Sequence, residues 1–82
     1  MSKYHFCRHF KELYGVSPMR HLNRLRLARA KELMLYSEMN IRQIAYEVGF
    51  GDLSYFNRAF RRRYQRTPSD LRAEAALRAE AR

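Results

Sequence analysis

The strongest constraint on this chain is that it repeats itself after 50 residues. Laying "SKYHFCRHFKELYGVSP" (2–18) over "DLSYFNRAFRRRYQRTP" (52–68) puts Phe6 on Phe56, Arg8 on Arg58, Phe10 on Phe60, Tyr14 on Tyr64 and Pro18 on Pro68. Lys11 over Arg61 and Ser17 over Thr67 match in charge and in hydroxyl. Helix, stop and next helix start thus recur in the same order, the mark of one supersecondary unit used twice. The second copy is preceded by "NIRQIAYEVGFG", and the first would need its equivalent before residue 1. The first unit is therefore expected to be incomplete.

Apolar residues recur every three or four positions throughout, and the chain has only 2 Pro and 3 Gly, so an all-α fold follows. Ser17-Pro18 and Thr67-Pro68 each put a hydroxyl at an N-cap and a proline at the first helical position. Asp70 after Thr67, and Gln43 after Asn40, have the spacing of capping boxes. Gly15 suits a helix end because it tolerates the left-handed conformation. Helices are expected near 2–14, 18–36, 41–48, 53–64 and 68 to about 80, with "AEAALRAEAR" a frayed, Ala-rich end.

The segment "IAYEVGFGDLSYFNRAF" (44–60) fits a helix-turn-helix. Ala45 is small enough for two helices to cross closely, Gly49 permits the turn, and Ile44 and Val48 face a shared core. Phe50 is placed to plug the bend and Asp52 to cap the second helix. At about 100° per residue, Phe56, Ala59 and Phe60 share the inner face of 53–64. Ser54, Arg58 and Arg61 lie opposite, flanked by Tyr55, Asn57 and Arg62. Hydrogen bonders first and cations later suit a recognition helix, whose start meets base edges while its later residues reach phosphates. On the first repeat the same face carries Tyr4, His5, Cys7, Arg8 and Lys11.

Between the repeats, Leu22, Leu25, Leu27, Ala30, Leu33 and Met34 cover an arc of about 200° on helix 18–36, wider than an ordinary amphipathic stripe. This helix should touch packed groups on two sides, and Arg26, inside the arc, is expected in a structural ion pair. Its span of roughly 27 Å could hold two recognition helices near the roughly 34 Å between successive major-groove turns.

Composition narrows the partner. Of 82 residues, 17 are Lys or Arg against 8 Asp or Glu, a net charge of +9, yet 46% are apolar. Fourteen of the cations are Arg, whose planar fork matches phosphates and guanine edges. A folded, basic domain with a polyanionic partner follows. Cys7 is the single cysteine, so no intrachain disulfide or cysteine zinc cluster forms, and His5 and His9 have metal-pair spacing without a third ligand. The N-terminus lacks a signal-peptide core and no apolar run is long enough to span a membrane, so a soluble, cytoplasmic, nucleoid-associated protein with no membrane partner and no cofactor is expected. No paired carboxylates, phosphate loop or nucleophile dyad points to an enzyme.

"HFKELYGVSP", "LNRLRLARAKELM", "IRQIAYEVGFGDLSYFNRAF" and "RTPSDLR" follow in order the pattern of the bacterial AraC/XylS transcription regulators, which residues 2 to 72 resemble. Gln65 stands where that family usually has a helix-ending Gly, and Leu71 where it usually has an aromatic. The resemblance implies two homeodomain-like helix-turn-helix units joined by a long helix. It implies double-stranded DNA as partner, with RNA polymerase a second partner that it allows. Base-reading positions would fall on Tyr4, Cys7, Arg8, Leu53, Ser54, Asn57 and Arg58. Lys11, Tyr55, Arg61 and Arg62 are expected at phosphates. The expected division is 1–17 for the rest of the first unit with its recognition helix, 18–36 for the linker, 37–72 for the second unit and 73–82 for a helical tail. An incomplete first unit would leave Phe6, Phe10 and Leu13 without cover and open to self-association through this exposed face of helix 2–14. The competing reading is a basic helical protein that binds RNA or an anionic membrane surface through charge alone. Such binding has no need of the Ala45 and Gly49 spacing.

Overall fold

A computed structural model of the chain describes the backbone of residues 3–80 and the side chains of residues 8–80. It contains five helices: α1 (Lys3–Tyr14), α2 (Pro18–Tyr36), α3 (Ile41–Glu47), α4 (Leu53–Tyr64) and α5 (Pro68–Glu80), with no strand among the described residues. Each start is explained locally. Ser17 Oγ accepts the Arg20 N–H at 3.3 Å, Asp52 Oδ1 the Ser54 N–H at 2.9 Å and Thr67 Oγ1 the Asp70 N–H at 3.1 Å. Around α3 the capping box is complete, with Gln43 N–H on Asn40 Oδ1 at 2.8 Å and Asn40 N–H on Gln43 Oε1 at 3.0 Å. At α5 only the forward half of the expected box, from Asp70 to Thr67, is formed. The Ala-rich end is helical through Glu80, where fraying was the expectation, and Glu74 in this stretch pairs with Arg66 at 2.7 Å.

The core is built by α2, α3 and α4. Leu27, Ala30 and Met34 from α2 meet Ile44, Ala45 and Val48 around α3, Phe50 from the turn, and Phe56 and Phe60 from α4. Leu71 of α5 packs at the edge. Ala45 is fully buried, as the close helix crossing requires. Gly49 sits at φ +104°, and its N–H bonds Tyr46 O at 3.1 Å while Phe50 N–H bonds Ala45 O at 2.9 Å. This paired closure is the Schellman arrangement, which satisfies the last carbonyls of α3 and turns the chain into α4.

Two expectations for α2 need correction. Its apolar arc is not covered on both sides: Leu27, Ala30 and Met34 are buried, whereas Leu25 is 57% and Leu22 38% exposed. The packing of α3, α4 and α5 covers one side of α2, and among the described residues α1 covers too little of the other. Arg26 forms no ion pair among the described residues; its guanidinium lies over the α3–α4 turn instead, where a Cβ on Gly49 would meet Nε at 3.0 Å.

Candidate nucleic-acid interface

Helix α4 separates two chemistries along its length. Phe56 and Phe60 are fully buried, and Leu53 and Ala59 pack partly against the same core. The outward face carries Ser54, Arg58, Arg61 and Arg62, all exposed, with Tyr55 exposed and Asn57 half-buried beside them. Of the expected base-reading residues, Ser54 and Arg58 are thus open to solvent, Asn57 is partly so, and Leu53 is shared with the core. On α1, Arg8 and Lys11 are exposed, while the side chains of Tyr4 and Cys7 lie outside the described residues. His9 is exposed, and no metal-binding group of His, Cys, Asp and Glu exists among the described residues.

The structure also joins groups that the repeat had kept apart. Asn23 Nδ2 on α2 donates to the Tyr55 hydroxyl on α4 at 3.2 Å, bridging 32 positions of sequence. Beside this bond runs a groove of about 930 Å³ between the first half of α2 and the outer part of α4, in which Arg20 and Arg24 face Arg58, Arg62 and Arg63. Sequence reasoning missed Arg20, Asn23 and Arg24. Their signal was the i, i+3, i+4 spacing of polar groups on a helix otherwise read for its apolar arc.

Arg72 was also missed. Its guanidinium donates to Met34 O at 3.2 Å, Met39 O at 2.6 Å, Ser37 O at 3.2 Å and Leu33 O at 3.4 Å. Helix C-termini leave such carbonyls without partners, and a cation there also answers the helix dipole. Arg72 therefore ties α5 to the end of α2 and to the strap leading into α3.

A helix-turn-helix domain family matches residues 1–74, most of the chain. The C-terminal domain of the two-component response regulator yesN from Fusobacterium nucleatum superposes with a TM-score of 0.84 at 35% identity, covering 88% of this chain and 70% of that one. The chain belongs to the AraC-type helix-turn-helix family. An AraC-type transcriptional regulator from Chromobacterium violaceum superposes with a TM-score of 0.81 at 32% identity, over 93% of this chain and 68% of that one. The transcriptional activator RhaS of Escherichia coli O139:H28 is 45% identical over 65 residues, which cover 79% of this chain and 23% of RhaS. RhaS of Salmonella arizonae is 43% identical over the same length. The chain thus spans about a quarter of the length of these RhaS relatives. Family membership makes it a DNA-binding domain of the transcription-regulator class, which is not an enzyme class. Among the described residues no helix is long and apolar enough to cross a membrane.

Proposed function

We propose that this AraC-type chain acts in the cytoplasm as a sequence-specific reader of double-stranded DNA in transcription regulation, with α4 inserted in the major groove. The observation that carries the reading is the division of α4 between a fully buried aromatic face and an outward face of Ser54, Arg58, Arg61 and Arg62 behind the tight Gly49 turn. Leu53, Ser54, Asn57 and Arg58 meet base edges, as do Tyr4, Cys7 and Arg8 on α1, and Lys11, Tyr55, Arg61 and Arg62 meet phosphates. Residues 18–36 act as the linker between 1–17 and the 37–72 unit, with 73–82 as a tail. RNA polymerase is the further partner that an activator requires. The exposed apolar side of α1, where Leu13 and Tyr14 stand open to solvent, is the surface for self-association.

Selection from random duplexes is expected to yield a defined motif for the intact chain. Against that motif and each of its single-base variants, Arg58→Ala relaxes preference at one position and lowers affinity by about 1–3 kcal/mol. Arg62→Ala weakens all sequences alike and lowers the salt slope by about one. If the base profile of Arg58→Ala is that of the parent, α4 is not the reader; if no motif emerges, charge-driven binding replaces the proposal.

A further inference from the structure

The groove between α2 and α4 has arginines on both walls and no acid among the residues lining it. Arg20 and Arg24 stand one helical turn apart on α2, and Arg58 and Arg62 one turn apart on α4. Like charges at i, i+4 destabilise a helix, and here two such pairs line one groove. The described residues contain a single ion pair, Arg66 with Glu74, neither of which lines the groove, so no carboxylate there offsets this concentration of charge. The arrangement gains nothing for the fold and is suited to an anion with several charges.

We infer that this groove grips the sugar-phosphate strand that borders the α4 reading face, with Arg20 and Arg24 of the connecting helix as phosphate contacts. The inference rests on α4 being the DNA reader and adds a second, separate element to the contact. Guanidinium forks bind phosphate oxygens in pairs, so Arg20 and Arg24 opposite Arg62 match a strand whose charges recur at regular intervals, with Arg58 left to the bases. Asn23 and Tyr55 link the walls near one end. Because the Tyr55 oxygen accepts from Asn23 Nδ2, its own O–H remains a donor for a phosphate on the same strand. Such contacts fix the orientation of α4 on the duplex and carry no sequence information themselves.

The test is the salt dependence of binding to the selected duplex for the full chain, for Arg20→Ala/Arg24→Ala, and for the charge-matched control Arg29→Ala/Arg78→Ala, whose residues do not line the groove. Losing two phosphate contacts lowers the slope of log affinity against log salt by about 1.8, so the affinity lost between 50 and 200 mM salt becomes about twelvefold smaller. The control keeps the parental slope, and the groove variant keeps the parental order of single-base variants. Arg20→Gln/Arg24→Gln, which retains much of each side-chain stem, guards against a folding defect and should show the same slope change. A parental slope in both groove variants, or an equal fall in the control, overturns the inference while leaving α4 as reader. A shallow slope in the intact chain removes the DNA reading itself, and this inference with it.

Discussion

Helices α1 and α4 carry one pattern and meet two fates. In α1 the ring of Phe10 lies 4.5 Å from Tyr14, and in α4 Phe60 lies 4.8 Å from Tyr64. Both helices end on a left-handed residue, Gly15 at φ +77° and Gln65 at φ +58°. Both are followed by a hydroxyl N-cap and a proline, and both next helices begin on it. Yet Phe60 is fully buried, whereas Phe10 is half-buried and Tyr14 is 60% exposed. The difference lies in what each helix rests on. Helix α4 sits against α2, α3 and α5, while α1 packs chiefly against α2. Tyr64 is enclosed further by Lys31 at 5.1 Å and Arg63 at 5.4 Å from its ring, and Tyr14 has the imidazole of His21 stacked at 5.6 Å. A repeated sequence therefore repeats local conformation, but burial belongs to the neighbours.

The comparison breaks most sharply at the aromatic pair. Phe60→Ala should cost about 3–5 kcal/mol, the range for a buried Phe leaving a cavity. For a domain of this size that is much of the whole stability. Phe10→Ala removes a half-covered ring and should cost about 1 kcal/mol. Urea unfolding followed by circular dichroism measures both, and equal losses would mean that α1 is as enclosed as α4.

A second contrast lies 50 positions apart on the following helices, where Leu22 stands over Arg72. Arg72→Met keeps the stem and removes the hydrogen bonds to the end of α2, so a loss of about 2 kcal/mol is expected, as for hydrogen bonds to a charged group. Leu22→Ala, on the exposed side of α2, should cost less than about 1 kcal/mol. Amide exchange locates the first effect: protection should fall in α3 and at the end of α2 before it falls in α4. A uniform loss of protection would deny Arg72 its role as a local tie.

The smallest effect sharpens the comparison at the helix ends. Gln65 holds a left-handed backbone that disfavours any side chain, and its amide Nε2 recovers part of that through a bond to Arg62 O at 3.2 Å. Gln65→Gly should stabilise the chain by up to about 1 kcal/mol, and Gly15→Gln should destabilise α1 by a similar amount. Thermal unfolding of the two variants gives the signs; a destabilised Gln65→Gly would show that the side-chain bond outweighs the backbone strain.

What could be read from the chain alone was whatever depends on neighbours within a few residues. Helix starts at Pro18, Ile41, Leu53 and Pro68 follow from Ser17, Asn40, Asp52 and Thr67, because a cap bonds an amide two or three positions away. The inner face of α4 and the Ala45–Gly49 turn were legible for the same reason, since helical periodicity and positive φ are local properties. Contacts across more than 20 positions were not. Asn23 with Tyr55, Arg72 with the carbonyls of Leu33 to Met39, and Arg26 over Gly49 arise only once α2, α4 and α5 are packed. Leu22 and Leu25 show the limit from the other side: their apolar character placed them in a packed arc, and only the positions of α1, α3, α4 and α5 left them exposed. Sequence determined which faces are apolar, cationic or capped, because those are properties of side chains on a helix. Tertiary structure decided which apolar faces are covered and which arginines share a groove, because burial and charge proximity depend on the whole packing.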